Sequence, residues 1–192
     1  MTSSQTKSEP KPVGRNIYFY HNPSTKLPIR NTDKKNEPYI EYGYEKGENG
    51  DGIIGAENYC DECYPDVINQ IDKKNEKYLF LVTFPKHNDI EPRENQIVGY
   101  IRKKKVLDRV DEPKAIVGEM KLFEFDDAIQ CNEYGKRSKG PLGRYGETFD
   151  KEQTSEIIAH FESCDDVTKQ CLEKTLELKD GDQTEDTSSD GC

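Results

Sequence analysis

The sequence predicts an α+β fold, in which a small, curved, mostly antiparallel sheet or barrel is flanked by helices. Three observations lead to this fold class. Five or six apolar or alternating segments indicate strands, glycines interrupt several of them, and the later strands follow one another too closely for the helical crossovers of a parallel sheet. A chain of 192 residues, of which 32% are hydrophobic, is long enough for one core.

The first half of the chain predicts short strands separated by polar loops. Residues 16–21 alternate apolar and aromatic residues, residues 39–44 alternate well enough for a short strand, and residues 53–59 indicate a further strand or the approach to one. Residues 64–76 place Val67, Ile68 and Ile71 at helical spacing, with Pro65 in the first turn. We therefore expect three early strands followed by an amphipathic helix.

The second half of the chain contains the segments that predict the centre of the sheet. Residues 77–84, "KYLFLVTF", form a continuous apolar run that is typical of a strand buried on both faces. Residues 95–110 and 112–125 indicate two long strands with Gly99 and Gly118 inside them, where a bulge, a bend or a close backbone approach is expected. Residues 150–163 predict the final helix.

The ends of the chain predict disorder. Residues 1–15 are rich in Ser, Lys and Pro and lack the apolar run of a signal peptide or membrane helix, so we expect a cytoplasmic protein without a membrane partner. Residues 164–192 are acidic and poor in apolar side chains, and we expect a largely disordered tail. The single domain is therefore placed at residues 16–163.

The net charge of −10 is unevenly distributed along the chain. Residues 150–192 contain 13 acidic and 4 basic residues, a net charge of −9, which leaves −1 for residues 1–149. The acidity of the whole chain therefore does not exclude an anionic ligand. It argues against a protein that coats DNA without specificity, because such a protein needs a basic surface.

Two segments carry clustered cations that could hold phosphate. The first contains Arg102 and Lys103, followed by two further lysines, and the second, residues 134–146, contains Lys136, Arg137 and Arg144 among four glycines. Backbone amides of a glycine-rich loop approach phosphate closely, while Arg and Lys neutralise it. The two segments could line one groove; the alternative is a pair of solvated loops, since no phosphate-loop motif is present.

Tyrosines are concentrated near the beginning of the chain, where seven of the 11 precede residue 65. Aromatic rings on one sheet face offer platforms for stacking bases. The alternative interpretation is that tyrosines serve as core residues in a chain without Trp. Motifs of classical catalysis, such as H-E-x-x-H or G-x-S-x-G, are missing from the sequence.

The motif "YCDECY" pairs Cys60 and Cys63 at the spacing of a half zinc site. Zinc requires about four ligands, and Cys131, His87 and His21 are candidates to complete the set, although none has diagnostic spacing. A redox dithiol and ordinary reduced cysteines are the alternatives. No other cofactor is predicted.

The segments "IVGY" and "AIVGE", joined by a basic turn, resemble strands of the PUA-like superfamily, which includes EVE, YTH and ASCH domains. The resemblance implies a barrel that reads RNA or a modified base. It also implies a base pocket, for which the candidate residues follow the early strands: Tyr20, His21, Tyr42 and Tyr44. Tyrosines would replace the tryptophans that many of these domains use.

The sequence therefore predicts a non-catalytic module that binds RNA, modified-base DNA or a nucleotide through an aromatic pocket and basic loops. One alternative is a small enzyme that acts on nucleotides in a DNA-modification or phage-defence pathway, with His21 as the residue to test. The other alternative is a zinc-stabilised interaction protein built around Cys60 and Cys63.

Overall fold

The computed structural model describes residues 13–18, 25–29, 39–42, 51–55, 63–85, 87, 89–109, 112–140, 142, 146–171, 173 and 174. The strands are β1 (Gly14–Tyr18), β2 (Tyr39–Tyr42), β3 (Asp51–Gly55), β4 (Tyr78–Thr83), β5 (Gln96–Arg109), β6 (Glu112–Leu122), β7 (Ile129–Gln130) and β8 (Thr148–Phe149). The two longer helices are α1 (Cys63–Lys73) and α2 (Lys151–Glu162); residues 168–171 are also helical, and Phe125–Asp127 and Cys131–Tyr134 form short 3-10 helices.

In the described part of the chain, the strands form one sheet in the order β2-β3-β6-β5-β4-β1-β8, with β7 paired to β5. Only β1 and β4 run parallel; every other described pair is antiparallel. This confirms the predicted α+β class with a mostly antiparallel sheet. No pairing among the described strands joins β2 to β8, so the described sheet is open.

Strand β4 lies at the centre of the core, as its apolar run predicts. It is hydrogen-bonded to β1 on one side and to β5 on the other. Leu79 and Leu81 belong to the apolar cluster that includes Ile68 and Ile71 of α1. Phe80 points to the other face of the sheet and belongs to a second apolar cluster, which α2 covers. The two helices therefore cover opposite faces.

The interior glycines Gly99 and Gly118 are sites of close approach between β5 and β6. A Cβ on Gly99 would overlap the carbonyl oxygen of Lys121, and one on Gly118 would overlap that of Arg102. Register shifts flank both positions: one between Leu81 and Val82 in the β4–β5 pair, and another in the β5–β6 pair after Lys103. Bulges of this kind bend a strand and increase its twist. The predicted role of the two glycines is thus confirmed.

Helix α1 ends earlier than the predicted residue 76 because Asn75 adopts the left-handed conformation, with φ 53°. The Glu76 N–H donates to the Ile71 carbonyl at 3.0 Å, and the Asn75 N–H donates to the Asp72 carbonyl at 3.0 Å. This pattern is a Schellman motif, which satisfies the free carbonyls of the last turn. The motif turns the chain sharply into β4.

Helix α2 begins and ends close to the predicted positions. The Asp150 carboxylate accepts a hydrogen bond from the Gln153 N–H at 2.9 Å, and the Gln153 side chain accepts one from the Asp150 N–H at 3.3 Å. This reciprocal capping box fixes the start of the helix. Ile157 and Phe161 are buried, as their spacing predicts.

The packed region extends beyond the predicted domain boundaries at both ends. At the N-terminal side, β1 begins at Gly14, and Arg15 is only 2% exposed. At the C-terminal side, Val167 and Cys171 are buried, and the Val167 N–H donates to the Leu122 carbonyl at 2.9 Å. Residues 164–171 therefore belong to the folded domain, because their apolar side chains pack beside the end of β6.

Within the described ranges, no helix is both long enough and apolar enough to span a lipid bilayer.

Candidate nucleic-acid interface

The first basic segment lies where β5 passes the beginning of β4. The β4–β5 register pairs Tyr78 with Arg102, and the Lys103 N–H donates to the Lys77 carbonyl at 2.8 Å. Beyond this point the described part of β5 pairs only with β6. Arg102 is 57% exposed, and the side chains of Lys104 and Lys105 are also exposed. The cations thus surround a corner of the sheet.

The turn between α1 and β4 brings more cations to the same corner. Lys73, Lys74 and Lys77 are exposed, and Lys77 is held beside Lys103 by the backbone hydrogen bond. We call these three lysines and residues 102–105 the basic patch; it contains seven cationic side chains. Local sequence patterns do not connect this turn with Arg102, because the two lie 25 or more residues apart along the chain. The signal in the sequence was "DKKNEK", residues 72–77, in which three lysines follow one another closely.

A buried ion pair anchors this turn to the sheet. The Arg15 Nε lies 2.7 Å from Glu76 Oε2, and a second guanidinium nitrogen donates to Glu76 Oε1 at 2.7 Å. The side chains are 2% and 0% exposed. Glu76 follows the Schellman motif directly, so the pair fixes both the end of α1 and the start of β4. It thereby sets the position of Lys77 relative to β5.

Tyr78 lies beside Arg102 of the basic patch, at the edge of a buried aromatic cluster. The ring of Tyr78 is half-buried, stacks parallel to Phe80 at 6.4 Å between centroids and meets Tyr100 edge-on at 6.0 Å. Tyr100 is 5% exposed and also contacts Phe123 and Phe161. Tyr78 is therefore packed against two aromatic neighbours, and the residue as a whole is half-buried.

A row of three polar or aromatic side chains crosses β4, β5 and β6 at this position. Tyr78 pairs with Arg102, and Arg102 pairs with Glu119, to which its guanidinium donates a hydrogen bond. The charge of Glu119 and this hydrogen bond raise the pKa of Arg102. Burial, followed by the charges of Glu119 and Glu162, raises the pKa of Tyr100 to about 12. The Tyr100 phenol is consequently protonated at neutral pH.

The second basic segment forms a loop that Asn95 holds in place. The Asn95 side-chain amide donates to the carbonyls of Arg137 and Gly140 at 3.1 and 3.0 Å, and its backbone N–H donates to the Ser138 carbonyl at 2.6 Å. Asn95 is fully buried. The loop of residues 136–140 is therefore attached to the start of β5.

Further contacts fix the same loop from β1 and β8. The Glu147 carboxylate accepts from the Arg137 N–H at 3.1 Å, while the Glu147 N–H donates to the Asn16 side chain at 2.6 Å. The Lys136 ammonium lies over the ring of Phe149, 5.0 Å from its centroid. This cation–π geometry holds the ammonium against the aromatic face.

The two basic segments lie at different ends of the same stretch of β5. Asn95, which holds the loop, precedes Arg102 by seven residues, and a strand rises about 3.3 Å per residue, so roughly 20 Å separates the two positions. A single mononucleotide cannot reach both. A polymer or an extended ligand is needed to contact the basic patch and the 136–140 loop together.

Several predicted site residues lie outside the described residues: Tyr20, His21, Tyr44, Arg144 and Cys60. Tyr42 lies on β2, where its backbone pairs with Gly52 of β3, and four strands stand between β2 and β1 in the sheet order. Cys63 is the first residue of α1. Among the residues that the structure describes, no group of three or more His, Cys, Asp or Glu side chains could hold a metal ion. The pocket and zinc predictions remain untested.

Three described cysteines are reduced thiols. Burial raises the pKa of Cys131 and Cys171 to about 12, and in each case a neighbouring carboxylate adds to the shift. Cys164 is partly exposed, and its sulfur lies 3.9 Å from His160 Nε2. Its pKa is also raised, mainly by desolvation. These environments favour inert thiols over nucleophilic thiolates.

Comparison with known proteins adds no family assignment. The chain matches no protein-family model, and neither a curated protein nor a solved structure is significantly similar to it.

Proposed function

We propose that this chain is a non-catalytic module that binds nucleic acid, with RNA and modified-base DNA as its ligand classes. In this proposal the basic patch contacts phosphates and the ring of Tyr78 stacks on a base. The observation that carries the proposal is the convergence of Lys77, Tyr78 and residues 102–105 at one corner of the sheet.

Local charge supports an anionic ligand at this corner. The basic patch has seven cations, and the acidic side chains beside it include the exposed Asp72 and the half-buried Glu119, which pairs with Arg102. Glu76 does not offset the patch, because it is buried in its pair with Arg15. Neutralising phosphates at such a patch releases counterions, and this release favours association at low salt.

The resemblance to PUA-like domains supports the same class of function. In the proposal, the fold is of the PUA-like class, and Tyr20, His21, Tyr42 and Tyr44 line a base pocket. Tyr78 is a further stacking residue that the sequence did not single out. Its stacking is worth about 1–3 kcal/mol per base in comparable single-strand binders.

The separation of the two basic segments predicts a dependence on ligand length. A ligand that touches the basic patch and the 136–140 loop spans roughly 20 Å, about the length of six base pairs of duplex. Shorter oligonucleotides reach only one segment. Affinity should therefore rise steeply up to a length of about six to eight nucleotides and then level off.

The test is fluorescence anisotropy with labelled single-stranded RNA, single-stranded DNA, modified-base DNA and duplexes of increasing length, at several salt concentrations. The Lys77→Gln/Lys103→Gln variant removes two charges from the basic patch. We expect weaker binding and a slope of log affinity against log salt that is shallower by about 1.4–1.8.

The matched control removes two charges elsewhere. Lys26 and Lys169 are exposed and pair with Asp89 and Glu173, so Lys26→Gln/Lys169→Gln has the same net charge as the first variant. This control should bind like the parent protein. The proposal fails if no oligonucleotide binds at low salt up to about 100 μM protein, or if both double variants change the salt slope equally.

A further inference from the structure

The row formed by Tyr78, Arg102 and Glu119 has a chemistry that differs from the rest of the basic patch. Lysines neutralise phosphate without reading a base, whereas this row combines a ring, a guanidinium and a carboxylate on one sheet face. Arg102 is 57% exposed and Glu119 is 32% exposed, so both polar groups are accessible. The row therefore has the components for recognising the edge of a base.

The spacing of the row suits a base stacked on Tyr78. Neighbouring strands lie about 4.8 Å apart, so the backbone of Arg102 is one strand spacing from that of Tyr78 and the backbone of Glu119 is two, roughly 10 Å away. A purine that stacks on the Tyr78 ring can turn one edge towards Arg102 and Glu119. The hydrogen bond from Arg102 holds the Glu119 carboxylate in position for that edge.

The carboxylate decides which base fits. A carboxylate accepts two hydrogen bonds from adjacent donors, and guanine presents two adjacent donors, N1–H and the 2-amino group, on its Watson–Crick edge. In adenine and cytosine the amino group adjoins an acceptor nitrogen, and in uracil the single N–H lies between two carbonyls. The O6 and N7 atoms of guanine are also standard acceptors for arginine.

We infer that Tyr78, Arg102 and Glu119 form a recognition site for an unpaired guanine within a single-stranded nucleic acid. The inference rests on the proposed function, because the phosphates on either side of the guanine are the ones that the basic patch would contact. The guanine stacks on Tyr78, its Watson–Crick donors bind Glu119, and Arg102 contacts either its acceptor edge or the adjoining phosphate. Specific single-strand recognition commonly uses stacking together with these base edges.

The experiment compares nine-nucleotide RNAs that differ only at the central position of a uridine background. The central base is guanine, adenine, cytosine, uracil or inosine, the last of which lacks the 2-amino group. We expect guanine to bind roughly 5- to 100-fold more tightly than uracil, with inosine between them. Equal affinities for all five RNAs would overturn the inference and leave the proposed function standing, whereas absence of binding to every RNA would overturn both.

The variant Glu119→Gln removes the charge while keeping the shape. It should lose most of the guanine preference and retain the affinity for the all-uridine RNA; Glu152→Gln, an exposed carboxylate in the first turn of α2, should keep the preference. Retention of the guanine preference in a folded Glu119→Gln protein would contradict the assignment. The inosine comparison uses the parent protein, so it remains decisive if this variant does not fold.

Competition with guanosine monophosphate separates a site for nucleic acid from a site for a free nucleotide. The mononucleotide contacts the row but not the neighbouring lysines, so it should displace the guanine-containing RNA only at a much higher concentration. Displacement at equal concentration would overturn the assignment to a single strand.

Discussion

The buried ion pair between Arg15 and Glu76 makes the sharpest prediction about stability. Replacing Glu76 by Gln leaves the guanidinium of Arg15 in the core without its carboxylate, at a position that is 2% exposed. Removing one partner of a buried pair costs about 3–5 kcal/mol, because the remaining charge stays buried without its counter-charge. A domain of this size has a free energy of unfolding of about 5–15 kcal/mol, so the loss is large and measurable.

Urea denaturation of the parent protein, Glu76→Gln, Arg15→Met and the double variant Arg15→Met/Glu76→Gln provides the assay. Each single variant should lose about 3–5 kcal/mol. The double variant should lose about 2–3 kcal/mol less than the sum of the single losses, since no unpaired charge remains. The m-value should be unchanged if the unfolded states are alike.

Two results would refute this reasoning. Single losses below about 1 kcal/mol would place the pair in the range of solvent-exposed salt bridges, in conflict with its burial. If the double variant loses the sum of the two single losses to within about 0.5 kcal/mol, the two side chains stabilise the fold independently. In that case the α1–β4 turn would depend on its Schellman motif and not on the ion pair.

Three further predictions concern the scaffold around the basic segments. Gly99→Ala should destabilise the fold by about 1–3 kcal/mol in urea denaturation, since its Cβ would overlap the carbonyl oxygen of Lys121; a neutral effect would show that the two strands separate easily. Asn95→Ala should speed tryptic cleavage within residues 136–140, because two side-chain hydrogen bonds that hold the loop are lost, and unchanged cleavage would contradict that role. At pH 8, iodoacetamide should label Cys164 well before Cys131, whose burial raises its pKa to about 12. Because that folded-state pKa exceeds the ordinary thiol value near 9, the contribution of Cys131 to stability should be present below pH 9 and be lost as the pH rises towards 12. Equal labelling rates in the folded protein, or stability that is flat over this range, would contradict its burial.

Local sequence patterns predicted most of the regular elements. The continuous apolar run of β4, the helical spacing of Ile68 and Ile71, and the final helix predicted over residues 150–163 each depend on interactions among close neighbours in sequence. Such interactions are visible in a single chain. Element ends were less accurate, as in α1, where Asn75 closes the helix before the predicted residue.

The domain boundaries were less predictable for a different physical reason. Val167 and Cys171 are isolated apolar residues in an acidic segment, and their composition favours a solvated chain. They are ordered because they meet the end of β6, where the Leu122 backbone also bonds to residues 167 and 168. A contact between distant segments has no local signature.

By itself, the sequence determined the fold class, the central strand, the two glycines at which β5 and β6 approach closely and the location of two cationic segments. Only the tertiary structure decided which of these groups are neighbours. Strand pairing aligned Tyr78 with Arg102 and Glu119, and the Schellman motif placed Lys77 beside Lys103. Periodicity and capping act within a few residues of one another, whereas strand register is set by the packing of the whole core. For that reason the cations were predictable and the row beside them was not.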